Sequence, residues 1–196
     1  MALTIKGDEI LIDQKHSPED DIAFIEYVAE YMRDPRYLRV DGKPLLIVYR
    51  PDLLPHPRET AARWRDWAAG NGVGDIHIAY VQSFERTDPS KHGFDAAIQF
   101  PPNMSDQGPV APATKLVNAD YAGRSFDWRA MADAFKHRPP TGYKLHRGVN
   151  CGWDNEPRRP ARGSNFLNYS TRGYGDWLRH CILSARSKKE EDQPII

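Results

Sequence analysis

The first well-patterned stretch carries Ile22, Ile25, Val28, Ala29 and Met32 at helical spacing, which gives a single apolar stripe. Ser17 offers an N-cap, Pro18 suits the first helical position, and Asp20 sets a carboxylate near the positive helix end. Pro35 closes the pattern, because the residue before a proline resists the α region. After the Asp41-Gly42 turn, residues 45–49 form an unbroken apolar run, which predicts a strand buried on both faces, as in a parallel sheet. Residues 59–69 read as a helix presenting Trp64, Trp67 and Ala68, with Gly70-Asn71-Gly72 as its stop. Two further strands are expected, over 76–81 and 96–100, the second halted by Pro101-Pro102.

A polar loop over 103–123 follows, of a length that in compact domains often marks a functional lid. Trp128, Met131 and Phe135 then mark another helix, and residues 144–150 a weakly patterned fourth strand. Trp177, Leu178, Cys181, Ile182 and Ala185 give a last amphipathic helix, running from Tyr174 to Lys188-Lys189. Residues 193–196 resemble the opening of one more strand. Strands alternating with helices in this way predict an α/β fold with a parallel sheet and right-handed crossovers.

Composition narrows the function classes. The 196 residues carry 27 Lys and Arg against 27 Asp and Glu, so no excess charge argues for a nucleic-acid or anionic-membrane partner. No apolar run is long enough for a membrane span, and the N-terminus lacks a secretory signal, which sets the expectation of a cytoplasmic protein. Cys151 and Cys181 make neither a disulfide framework nor a zinc site, and the seven histidines lack metal-ligand spacing. Neither a metal nor a cofactor is expected. Serine-hydrolase elbows, phosphate-binding P-loops and dinucleotide fingerprints are all missing from the sequence.

Reactive groups in parallel α/β folds gather beyond the C-terminal ends of strands. Those positions hold Tyr49 and Arg50, Gln82, Gln99, and the run Trp153-Asp154-Asn155 with Arg158 close behind. Aromatic faces that stack on sugar C–H surfaces, with amides and carboxylates for hydroxyls, suit a saccharide; the same residues also serve as ordinary strand caps and loop pins. Arg158 or Arg159 is placed to hold a phosphate or carboxylate, and the competing role for Arg159 is an ion pair with Asp154 or Glu156. His77 reads as a packed strand residue. Cys151 reads as a small buried thiol, with a nucleophile near His146 or His180 as the rarer case.

Five ordered motifs carry a resemblance over nearly the whole chain: Asp34-Pro35-Arg36-Tyr37; Val40-Asp41-Gly42-Lys43-Pro44; Tyr49-Arg50-Pro51; Phe94-Asp95-Ala96-Ala97 with Phe100-Pro101-Pro102; and Gly152-Trp153-Asp154-Asn155 with Pro157-Arg158-Arg159. Residues 9–21 add to it. Together they resemble the WbsX-like glycosyltransferase family, which is similar in turn to endo-α-mannosidase-like glycoside hydrolases. The resemblance implies a partial (β/α)8 barrel: strands four to seven with their helices and the start of strand eight. It is expected as one incomplete domain over 1–196, with a leading segment 1–16.

It further implies action on glycosidic bonds in surface-polysaccharide assembly, with a carbohydrate or sugar-nucleotide partner. The glutamate-bearing segment that supplies catalysis in the related hydrolases has no counterpart here, so the chain is expected to be an inactive fragment of its parent. The alternatives are a non-catalytic binding remnant or one part of a split enzyme. Open sheet edges would then serve self-association or a partner fragment. Tyr49, Arg50, Gln82, Gln99, Trp153, Asp154, Asn155 and Arg158 are the implied sugar contacts. Asp154 is the best supporting carboxylate, and no residue is assigned as nucleophile. Gln99 departs from the family's acidic residue, since an amide orients a hydroxyl but does not transfer its proton. The absence of an Asp-x-Asp triplet weighs against a metal-dependent transferase.

Overall fold

Ser17 opens helix α1 (Pro18–Met32) as the spacing predicts, its hydroxyl accepting the Asp20 N–H at 3.1 Å. Ile25, Ala29 and Met32 form the buried stripe, while Ile22 and Val28 are half-buried. The computed structural model describes residues 15–111 and 116–186. The expected strand over 193–196 and the helix end at Lys188-Lys189 lie outside the described residues, as do most of the leading segment and the centre of the 103–123 loop. The chain forms two compact units: one runs to Val81 and includes Thr87–Ala97, and the other joins Gln82–Arg86 to the chain from Ile98 onward.

The first unit pairs α1 with helix α2 (Pro57–Gly70). Trp64 of α2 packs its ring 5.3 Å from Phe24 and donates from Nε1 to the Asp21 carbonyl at 3.0 Å. The buried Asp21 carboxylate accepts from Thr60 at 2.9 Å and from Arg63 Nε at 2.8 Å, so this charge is both paired and hydrogen-bonded. Strands β1 (Arg39–Val40) and β2 (Lys43–Val48) flank the Asp41-Gly42 turn. Strands β3 (His77–Gln82) and β4 (Ala96–Gln99) follow, in the order β1-β2-β3-β4.

β2 and β3 are parallel, with Leu45 opposite His77 and Val48 opposite Tyr80. β1 is antiparallel to β2, so the sheet is mixed and not purely parallel as the alternation predicts. The cause is local: Asp41 and Gly42 both have positive φ, at 51° and 77°, the geometry of a two-residue hairpin.

Burial of β2 also departs from expectation. Leu45 and Leu46 are buried, but Ile47 is 49% exposed. Leu45 and Ile47 share a face; its cover reaches only part way along the strand, and Tyr49 just beyond is exposed as well. β3 is buried throughout, and His77 is a packed strand residue there.

The chain passes into the second unit within β4. This unit holds β5 (Arg124–Asp127), helix α3 (Trp128–Lys136), β6 (Leu145–His146), β7 (Ser164–Leu167) and helix α4 (Thr171–Arg186). Its core joins Trp128, Met131 and Phe135 of α3 to Trp177 and Cys181 of α4, with Phe166 of β7. The Trp128 and Trp177 rings meet edge to face at 5.6 Å.

The expected strand over 144–150 shrinks to two residues beside β4. Beyond it Gly148 lies close against β4, where a Cβ would stand 2.3 Å from the Gln99 carbonyl oxygen, and its N–H goes to the Gln99 side-chain Oε1 at 3.3 Å instead of a ladder carbonyl. β5 and β7 are not foreseen by the patterning; they form a separate parallel pair with Phe126 opposite Phe166. The architecture is α/β, with mixed strand pairing and four helices among the described residues.

Candidate functional site

The β5–β7 pair builds the floor of a site in the second unit. Phe126 and Phe166 stack with centroids 5.1 Å apart, and the Arg124 guanidinium lies 5.7 Å over the Phe126 ring. A cavity of about 880 Å³ opens there. Residues 102–105, with Gln107 and Pro109, form one wall, Phe84 adds a third phenylalanine, and the 153–159 turn forms the other wall.

Each wall is fixed by hydrogen bonds within this unit. The Met104 carbonyl accepts from both Arg86 and Arg138, and Asn103 Nδ2 donates to Ser83 Oγ at 2.5 Å. Arg86 also pairs with Asp106 at 3.0 Å. The opposite wall starts at the buried Asn150: its amide donates to the Pro101 carbonyl at 3.2 Å, its Oδ1 accepts the Gly152 N–H at 2.8 Å, and its carbonyl accepts Trp128 Nε1 at 3.0 Å.

With Asn150 turned inward, the chain swings Trp153 toward solvent at 49% exposure, while the Trp153 carbonyl accepts the Phe166 N–H at 2.9 Å. Asp154 bridges to Asn165, and its Oδ1 accepts the Glu156 N–H at 2.8 Å in an Asx turn. Asn155 Oδ1 accepts the Ser164 N–H at 2.5 Å.

Glu156 is a staple and not a site carboxylate. Its two oxygens accept the Ala161 N–H at 2.5 Å and the Gly163 N–H at 3.2 Å. Gly163 is required by this closeness, since a Cβ would fall 2.4 Å from Glu156 Oε2. The alternative ion pair of Arg159 with Asp154 or Glu156 is therefore not formed: the Glu156 oxygens are taken by backbone N–H groups, and Arg159 has no ion pair among the described residues. Tyr121, whose hydroxyl accepts from Asn165 Nδ2 at 3.1 Å, has its phenol pushed up by burial and by the nearby Glu156 and Asp154 charges. It stays protonated at neutral pH.

Of the residues expected from the sequence, Trp153, Asp154, Asn155 and Arg158 all line this one cavity. Gln82 and Gln99 belong to the same unit but are buried. Gln82 Nε2 donates to the Tyr143 hydroxyl at 2.9 Å, and Gln99 Oε1 accepts the Gly148 N–H at 3.3 Å. Tyr49 and Arg50 lie in the first unit, where Arg50 grips Asp52 with bonds of 2.7 and 2.6 Å. The pair holds the Asp52 carboxyl below its usual range.

Cys151 is exposed, against the expectation of a buried thiol, because the neighbouring Asn150 takes the inward position. The rarer nucleophile reading gains no support from His146, which is fully buried, or from His180, whose ring faces His137. The patterning missed Phe84, Arg124 and Phe126; it flagged the 103–123 loop as a functional segment without naming its residues, and Asn103, Met104, Ser105, Gln107 and Pro109 of that loop line the cavity. Among the described residues no three His, Cys, Asp or Glu side chains group as metal ligands, and no helix is long and apolar enough to cross a membrane.

Comparison with known proteins places this geometry in context. A family model described as glycosyltransferase WbsX matches residues 3–196. The chain is 56% identical over 177 residues to an uncharacterized protein WxcX of Xanthomonas campestris pv. campestris strain B100, and 55% identical to its counterpart in strain ATCC 33913. Each alignment covers 90% of this chain and 26% of the relative, so the chain spans about a quarter of the curated relatives it matches. Among solved structures, the GH99 endo-α-mannosidase from Bacteroides thetaiotaomicron is similar at 17% identity with a TM-score of 0.49, covering 87% of this chain and 48% of that one. The structure of that enzyme in complex with Bis-Tris propane gives 19% identity and a TM-score of 0.48, covering 86% and 49%.

Proposed function

The chain belongs to the family described as glycosyltransferase WbsX, and from that membership we propose that its second unit supplies a saccharide-binding wall to a carbohydrate-active enzyme. The observation that carries the reading is the pairing of the exposed Trp153 indole with the Asp154 carboxylate on one side of the cavity. An indole face stacks on the C–H surface of a pyranose, and a carboxylate accepts its hydroxyl protons. Asn155 and Arg158 complete the proposed contacts. Tyr49 and Arg50 are separate candidates in the first unit, and buried Gln82 and Gln99 are proposed to shape strand ends instead of touching sugar.

We assign no nucleophile. Glycoside cleavage commonly uses two carboxylates about 5–10 Å apart across the scissile bond; among the described residues Asp154 is the one carboxylate that lines this cavity, because Glu156 is committed to the loop. Transfer or hydrolysis, in surface-polysaccharide assembly, is proposed for the longer protein in which such a sequence operates. A partial (β/α)8 barrel is the proposed frame, supported by the parallel β2–β3 pair connected through α2.

Calorimetric titration with short neutral and acidic oligosaccharides tests the reading. Binding is expected, weakened about tenfold or more by Trp153→Ala and by Asp154→Ala, each about 1.4 kcal/mol, with unchanged far-UV circular dichroism. Absence of binding to any saccharide overturns the reading. Turnover of a glycoside or sugar nucleotide by the chain alone overturns the assignment of binding without chemistry.

A further inference from the structure

Among the described residues the charged groups around the cavity are unequal in sign: Arg124, Arg158 and Arg159 stand against the single carboxylate of Asp154. The chain as a whole is neutral, so the excess is a matter of placement and not of composition. Arg50 pairs with Asp52, Arg65 with Asp95 and Arg129 with Asp127, and Arg33, Arg39 and Arg58 donate to backbone carbonyls, whereas the three cavity guanidiniums have neither an ion pair nor a side-chain hydrogen bond among the described residues.

The fold keeps them unpaired. Asn155's carbonyl accepts the backbone N–H of both Arg158 and Arg159 at 3.0 Å, fixing the turn without using either guanidinium. Glu156, the nearest acid in sequence, is consumed by Ala161 and Gly163. Arg124 is held by stacking over Phe126.

Resting on the saccharide reading of this site, we infer that the cavity selects a saccharide bearing an oxyanion, a carboxylate or a phosphate, which Arg124, Arg158 and Arg159 neutralise while Trp153 holds the sugar face. Guanidinium forks match both oxyanions bidentately. A cavity of about 880 Å³ falls within the roughly 300–1,000 Å³ of small-molecule sites and admits more than an isolated ion.

The test is a titration in low salt with four probes: a glucuronic-acid-containing disaccharide, a hexose 1-phosphate, an uncharged disaccharide, and inorganic phosphate alone. One or both acidic saccharides are expected to bind about tenfold or more tighter than the uncharged one, and whichever wins identifies carboxylate or phosphate as the anion. The preference is expected to shrink in about 0.5 M salt, where charge interactions are screened. R124Q and the double variant R158Q/R159Q are expected to bring the acidic-to-neutral ratio toward one, and the matching lysine variants to restore part of it. Far-UV circular dichroism confirms that each variant is folded. Equal binding of the neutral and acidic saccharides overturns the inference but leaves the saccharide reading intact; so does an unchanged ratio in the arginine variants. Inorganic phosphate binding as tightly as the acidic sugars also overturns it. No binding in any saccharide arm overturns both.

Discussion

Glu156 shows how one side chain sets the geometry of the site without entering it. Its carboxylate takes two backbone N–H groups across a gap of five and seven residues, and thereby holds the turn that carries Trp153, Asp154 and Arg158. Hydrogen bonds to a charged acceptor contribute about 1.5–3 kcal/mol each when protected from water. Glu156→Ala is therefore expected to lower stability by about 1–3 kcal/mol in urea melts and to weaken saccharide binding. Gly163→Ala is expected to act the same way, since the added Cβ meets Glu156 Oε2 at 2.4 Å and the Glu156 Cα at 2.9 Å. Unchanged melts for both variants would show that the turn is held by something else. Much of this site was legible at the residue level, because Trp153, Asp154, Asn155 and Arg158 sit together in sequence. Arg124 and Phe126 were not legible: they reach the cavity only through pairing with a strand about forty residues away, which no local spacing reports. The signal that existed was a brief polar–apolar alternation around Phe126 and a lone Phe166-Leu167 pair, both too short to stand out.

At the scale of elements, Asp127 ties three of them together. It caps α3 by accepting the Arg129 N–H at 2.8 Å, pairs with the Arg129 guanidinium at 3.0 Å, and accepts Asn168 Nδ2 at 3.0 Å from the exit of β7. The Arg129 guanidinium is the main reason the Asp127 carboxyl falls to about 2. A carboxyl depressed in the folded state stabilises it above the unfolded value of about 3.9, and that contribution is lost as pH falls through about 2. Asp127→Ala is expected to cost about 1 kcal/mol at pH 7, and the gap from the parent protein to close between about pH 4 and pH 2. Urea melts across that range measure it; a gap independent of pH contradicts the role. Helices were the most legible elements: all four follow the apolar stripes, and α1 opens at the expected Ser17 cap, while the Asp127 cap of α3 and the Thr171 start of α4 were not foreseen. Strands were less so. β5 and β7 carry one aromatic each, Phe126 half-buried and Phe166 buried, β6 is two residues long, and β1 forms where Asp41-Gly42 folds back on β2.

For the whole molecule, the chain belongs to the family described as glycosyltransferase WbsX, and the cavity of the second unit is the proposed saccharide contact. Under the proposed barrel frame, open strand edges are expected to pair with a second copy of the chain. Size-exclusion chromatography over a wide concentration range is expected to show self-association or broad, weakly cooperative melting. A monomer at all concentrations with one sharp melt argues against edge pairing. The central claim is saccharide contact through Trp153, and tryptophan offers a direct probe of it. Of the five tryptophans, Trp64, Trp128 and Trp177 are buried and Trp67 is half-buried, which leaves Trp153 as the one well exposed. Labelling with fluorotryptophan and titrating with oligosaccharide under fluorine magnetic resonance is expected to move the Trp153 resonance, assigned by Trp153→Phe, while the others stay fixed. A Trp153 line that does not move under saturating saccharide contradicts the account.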